Sequence, residues 1–155
     1  MDPKFAKPIV QATQNVLSTM AMINPEAGKP YIKKDQKASG DVTGVIGLTA
    51  DDSKQGVMSV TFTKDCAVAI VKNLLGGEIE DVVQEVKDAV GEVTNMIAGQ
   101  TRQNLESIGI NLSAATPTVV MGENHSVSHV TNDKIIVVPF NTEHGTFVVE
   151  FSMKD

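Results

Sequence analysis

The stretch DVTGVIGLTADDSKQGVMSVTFT, residues 41–63, decides the fold. Both flanks, DVTGVIGLTA and GVMSVTFT, are rich in Val, Ile and Thr, whereas DDSKQG at 51–56 is polar and ends on glycine. β-Branched runs separated by a short cluster of turn formers predict a hairpin, and therefore antiparallel pairing. Gly44 and Gly47 inside the first run mark close packing or a bulge. Upstream, YIKKDQ is a further β-rich segment, and NPEAGKP at 24–30 reads as a turn. Downstream, KDCAVAIVKNLLGG changes to helical spacing, with Thr63 as N-cap and Gly76 and Gly77 as the stop.

Two longer helical patterns flank this block. Phe5, Ile9, Ala12, Val16 and Met20 recur every three or four residues, predicting a first helix within 3–23. Pro3 and Pro8 are tolerable only near its start, and Pro8 could delay the start to Ile9. From about Val82 to Ile108 runs the longest pattern, closed by Gly109. INLSAA, TVVMG, KIIVVPF and GTFVVEFSM follow as short β segments, punctuated by Pro117, Gly122, Asn132–Asp133 and His144–Gly145. Because strands cluster instead of alternating with helices, the expected fold is α+β. Helices layer on a mostly antiparallel sheet, in two possibly duplicated halves that each open with a helix.

The whole chain is consistent with that fold. Its 155 residues suit one domain, expected to span 1–155, with a real core. With no tryptophan and one tyrosine, Val, Ile, Leu and Met must fill that core. A net charge of −6, with IKKDQK the nearest thing to a basic run, argues against polyanion binding. Cys66 is the single cysteine, which excludes an internal disulfide and a cysteine-based zinc site; its apolar helical context predicts a buried structural thiol. No segment approaches the roughly 20 apolar residues of a membrane span. MDPKFAKPIVQATQ lacks the apolar centre of a signal peptide, so a cytoplasmic location is expected.

The long helix holds the candidate site, in DAVGEVTNMIAG at 88–99. With Asp88 as origin, Glu92 falls at about +40°, Asn95 at about −20° and Gly99 at about +20°. Val86, Val93 and Ile97 lie roughly 140–180° away, on the core side. An acid, an acid and an amide are thus aimed outward together. Such a set is ordinarily solvated surface, and E-x-x-N alone is weakly specific. Two glycines beside it are less ordinary, since each costs roughly 1 kcal/mol of helix propensity relative to alanine. Gly91 and Gly99 would let another backbone come close.

KDAVGEVTNMIAGQ resembles the active-site helix of the CheC/CheX/FliY group of bacterial chemotaxis phosphatases, whose signature is Asp or Ser, three residues, Glu, two residues, Asn. Asp88, Glu92 and Asn95 fill those places. The preceding NLLGG, the later TPTVVMG and the overall length look like the CheX branch. The resemblance covers most of the chain and is weakest at the N-terminus and around 123–134. It implies a protein substrate: the phosphorylated receiver of a response regulator such as CheY, whose aspartyl phosphate is hydrolysed. Asn95 would position the attacking water, as the glutamine of GTPases does. Glu92 would contact the lysine beside the receiver's phosphorylated aspartate. Asp88 would orient its neighbours or meet the partner at the rim, and Gly99 would leave the partner room to approach. The partner would bring the magnesium, so no cofactor and no metal site of the chain's own is expected.

The resemblance further implies a homodimer with one site per chain. In the first helix, IVQATQNVLSTM, Ala12 stands where a glutamate three residues before Asn15 would be needed. No added flagellar-switch domain accompanies the helix, which argues against the FliY branch. The alternative is a non-catalytic module that docks a receiver by the same helix. A self-contained enzyme on a small molecule fits worse, because no nucleophile–base set is evident. His125 and His129 in HSVSH lack a third ligand, LLGGEIED lacks the phosphate-loop pattern, and Glu78, Glu80, Asp81 and Glu85 read as a solvated helix start.

Overall fold

The computed structural model describes residues 5–33, 37–51, 53–76, 82–128 and 134–153. In chain order the elements are α1 (Ala6–Met20), β1 (Glu26–Ala27), β2 (Tyr31–Lys33), β3 (Lys37–Ala50), β4 (Gln55–Phe62), α2 (Lys64–Leu75), α3 (Val82–Glu106), β5 (Leu112–Ala114), β6 (Thr118–Ser128), β7 (Ile135–Thr142) and β8 (Gly145–Met153). The expected α+β fold is what forms. One sheet runs β1-β7-β8-β4-β3-β5, with β2 also on β7 and β6 also on β3. Every pairing is antiparallel.

The hairpin that decided the fold is β3–β4, in register from Val42↔Phe62 to Thr49↔Gln55. Its turn closes through Ser53 N to Ala50 O and Ala50 N to Lys54 O. The sheet order also bears out the two halves. β4 and β8 pair at the centre, β3 and β7 flank them, and each flank carries two further strands from the other half. Alternation then sorts the faces. Met58, Val60 and Phe62 of β4, Phe147, Val149 and Phe151 of β8, and Ile136, Val138 and Phe140 of β7 join the core with Val42, Ile46 and Leu48 of β3. Phe140 stacks on Phe147 at 4.9 Å. The three helices bury Ile9, Val16 and Leu17, Cys66, Ile70 and Val71, and Val86, Val90, Val93 and Ile97 in this core.

The local signals mostly behave as read. Thr63 caps α2, its Oγ1 accepting from Cys66 N at 3.4 Å, and Gly76 ends it in the left-handed region at φ 67. Two boundaries differ, and α1 takes the earlier of its two expected starts. α1 begins before Pro8, which sits in the first turn where its missing N–H costs nothing. The segment read as a turn at 24–30 holds β1, whose Glu26 and Ala27 pair with Asn141 and Phe140. α3 stops at Glu106, two residues before the periodic pattern, because Ile110 N turns back to Leu105 O around Gly109 at φ 85. The expectations for Pro3, Gly77, Glu78, Glu80, Asp81, His129 and Asn132–Asp133 lie outside the described residues.

Candidate functional site

α3 lies across the sheet with one face on β3 and its neighbours and the other open. Val86, Val90, Val93, Thr94 and Ile97 are buried, whereas Asp88, Glu92 and Asn95 are exposed, as the angular reading requires. The three polar residues share one open concavity of about 480 Å³ with Gln84, Lys87, Gly91, Pro117 and Val119. Val119 comes from the start of β6 and Pro117 from the residue just before it, so the site is a cleft between a helix flank and a strand. Neither they nor Gln84 and Lys87 emerge from sequence reasoning. Gln84 had a local signal, its four-residue spacing to Asp88; Pro117 and Val119 had none, because sheet order alone brings them there.

The three side chains are not equivalent. Gln84 Nε2 donates to Asp88 Oδ1 at 2.9 Å, holding Asp88 along its own helix. Glu92 and Asn95 make no side-chain hydrogen bond or ion pair among the described residues, and their polar atoms face the open side. A rise of 1.5 Å per residue sets them about 4.5 Å apart along the axis.

The two helical glycines also differ. A Cβ on Gly91 would stand 3.4 Å from Val119 Cγ2, at ordinary van der Waals distance, so β6 already closes the space on that side. A Cβ on Gly99 would meet nothing within 4 Å. Gly99 lies beyond the first concavity, in a second one bounded by Arg102 and Leu112. Among the described residues no neighbour requires a glycine there, so its cost in helix propensity has no counterpart in their packing.

α1 presents no second copy of the arrangement. Ala12 is fully buried, and Asn15 Nδ2 donates to Gln100 Oε1 on α3 at 3.4 Å. Burial pushes the Cys66 thiol up to about 11, against a smaller lowering by its hydrogen bond with Thr142. That is the inert, packed thiol expected from its context. His125 pairs with Gly40 through the backbone of β6. Among the described residues no three of His, Cys, Asp and Glu are grouped to hold a metal ion. No helix among them is long and apolar enough to cross a membrane.

Comparison with known proteins gives a consistent result. The family model for the chemotaxis phosphatase CheX matches residues 42–141, a span that contains the whole of α3. A crystal structure of a chemotaxis protein CheX from Desulfovibrio desulfuricans superposes with a TM-score of 0.93 at 54 % identity, covering 97 % of this chain and 99 % of that one. The CheY-P phosphatase CheX of Thermotoga maritima is 26 % identical over 125 residues, 80 % of this chain and 79 % of the relative. A CheX–CheY–BeF3–Mg2+ complex from Borrelia burgdorferi shares the fold, with a TM-score of 0.78 at 22 % identity over 97 % of this chain and 98 % of that one.

Proposed function

The chain belongs to the chemotaxis phosphatase CheX family, and from that premise we propose that it hydrolyses the aspartyl phosphate of a CheY-like receiver domain, with Asn95 and Glu92 as the residues that enter the receiver's site. The observation that carries this reading is the pair itself. Glu92 and Asn95 stand exposed on one face of a long helix, without partners among the described residues and with little bulk around them. The CheY-P phosphatase activity of the Thermotoga relative supports the substrate class.

Water attacks the phosphorus, the bond to the aspartyl oxygen breaks, and the products are the receiver's carboxylate and inorganic phosphate. Such a transfer needs positioning and charge stabilisation more than covalent help. The Asn95 carboxamide holds the water, its Oδ1 accepting from one O–H and fixing the oxygen in line with the leaving carboxylate. Glu92 pairs with the lysine beside the phosphorylated aspartate and sets the register of docking. Magnesium is present in the CheX–CheY–BeF3–Mg2+ complex from Borrelia; here the receiver would bring it, and it would supply neutralisation of the phosphoryl charge. Asp88, held by Gln84, and Gly99 bound the docking surface. Residues 1–155 act as one phosphatase domain, and family resemblance makes the working unit a homodimer, which light scattering would read as twice 16.5 kDa.

The test is the decay of phosphate on a purified CheY-like receiver with magnesium, with and without the protein. Decay should accelerate, and Asn95→Ala should remove on the order of 10²-fold of the rate while still binding the receiver. Turnover by Asn95→Ala near the wild-type value would refute the water-positioning role. Binding by the wild type without faster decay would leave a docking module.

A further inference from the structure

We propose that Arg102 is a second docking contact, a fixed cation that takes a carboxylate of the receiver two turns beyond Asn95. The inference deepens, and rests on, the reading of α3 as the helix that enters the receiver.

The placement comes from helix geometry. Arg102 lies seven residues after Asn95, about 10 Å further along α3 and within roughly 20° of the same direction. A specific protein interface of standard size buries about 800 Å² per partner, a patch of roughly 16 Å radius. A receiver seated on Glu92 and Asn95 therefore covers Arg102. Gly99 stands between them with open space where a side chain would be, so the helix backbone is bare along that path.

The chemistry comes from how Arg102 is held. Its Nε donates to the Leu112 carbonyl of β5 at 2.9 Å, which fixes the plane of the guanidinium against the edge of the sheet. Among the described residues that carbonyl is its one polar partner, which leaves the terminal N–H groups free. The concavity they face also holds Gln103, Glu106 and Asn111, yet no ion pair joins Arg102 to Glu106. Covering a half-buried guanidinium with a partner strips its water, and an acceptor must replace that water or binding is penalised. A carboxylate fits best, because the planar fork can give it two parallel hydrogen bonds.

The charge order then acts as a ruler. Glu92 asks for a cation, and Arg102, ten residues and about 15 Å along the axis, asks for an anion. A receiver that carries its lysine and a surface carboxylate at that separation docks in one direction only. Opposed charges of this kind set register and selectivity.

The experiment measures Kd for a CheY-like receiver loaded with BeF3 and Mg2+, together with kcat and KM on its phosphorylated form. The variants are Arg102→Glu, Arg102→Lys, Arg102→Met and Asn95→Ala. Arg102→Glu should raise Kd and KM tenfold or more while kcat changes by less than about threefold. Arg102→Lys keeps the charge without the fork or the Leu112 bond and should recover part of the affinity, which Arg102→Met should not. Equal losses in Arg102→Lys and Arg102→Met would assign the effect to the lost Leu112 bond and overturn the proposal, as would a wild-type Kd for Arg102→Glu. An Asn95→Ala variant that keeps full rate would overturn the catalytic reading alone, since the Arg102 contact is read from Kd. A wild-type protein that binds no CheY-like receiver would overturn both.

Discussion

Gly44 on β3 and Thr94 on α3 meet so closely that no side chain fits between them. A Cβ on Gly44 would overlap Thr94 Oγ1 and stand 2.8 Å from the threonine Cβ. Thr94 is fully buried, and its hydroxyl is satisfied by donating to Val90 O at 2.7 Å. It lies in the turn of α3 that carries Glu92 and Asn95, so this notch sets the height of the site above the sheet.

Gly44→Ala should therefore lift that turn. The expected cost is about 1–3 kcal/mol of stability, as for other overpacked cores, and roughly tenfold to 10²-fold in kcat, because a displacement near 1 Å misaligns a reacting group. Thr94→Ala in the Gly44→Ala background removes the hydroxyl and methyl overlaps, leaves the 2.8 Å approach of the two Cβ positions, and should restore part of both. Denaturant titration and phosphate-release kinetics on the four proteins of this cycle decide it. A Gly44→Ala protein with wild-type kcat would show that the notch does not govern the site.

Glu92 is expected to act on encounter more than on the chemical step. Glu92→Gln keeps the shape and loses the charge. It should raise KM severalfold, since an exposed ion pair is worth only about 0–1 kcal/mol. The salt dependence of KM should flatten in the same variant, because the steering charge is gone. An unchanged KM with unchanged salt dependence removes Glu92 from the docking surface.

What the sequence disclosed, and what it hid, divides along local and non-local lines. The outward set Asp88, Glu92 and Asn95 follows from angular spacing on one helix, and the structure exposes all three. The β3–β4 hairpin and the close packing at Gly44 were likewise written in neighbouring residues. β1 was not, because Glu26 and Ala27 become a strand only by meeting Asn141 and Phe140 more than a hundred residues away. Pro117 and Val119 join the site for the same reason: β6 pairs with β3, and β3 carries α3. Gly91 shows the overlap of the two. Its presence in a helix looked like an opening for a partner, yet Val119 already occupies that side at van der Waals distance.

Cys66 makes stability depend on pH in the alkaline range. Burial disfavours the thiolate and pushes the thiol up from its ordinary value of 9.0 to about 11 in the folded chain. Unfolded chains thus release this proton first as pH rises. The stabilisation is complete below pH 9 and is lost progressively between about 9 and 11. At about 1.4 kcal/mol per pH unit, the loss attributable to this group approaches 2–3 kcal/mol. Urea midpoints measured from pH 8 to 11 should fall more steeply for the wild type than for Cys66→Ala, and parallel curves would exclude the thiol as the cause.

On the sheet face away from the helices, Lys33 Nζ meets Glu150 Oε1 at 2.6 Å. Their side chains are 19 % and 4 % exposed, so the carboxylate is the more deeply committed partner. Lys33 belongs to the three-residue β2, whose backbone bonds to β7 are few, and Glu150 belongs to β8, one strand further in. The pair thus pins a short outer strand across β7. Removing one member of a buried pair takes that counter-charge from the other, at up to about 3 kcal/mol, whereas removing the charge on both costs much less. Lys33→Met should therefore destabilise the fold by more than Lys33→Met with Glu150→Gln. The excess should approach about 2 kcal/mol, since glutamine keeps the shape and needs no counter-ion. Urea unfolding of both variants and of Glu150→Gln alone measures the coupling. If the double variant is as unstable as the sum of the singles, the two charges do not depend on each other, and β2 is held by its backbone pairing with Ile135, Ile136 and Val137 instead.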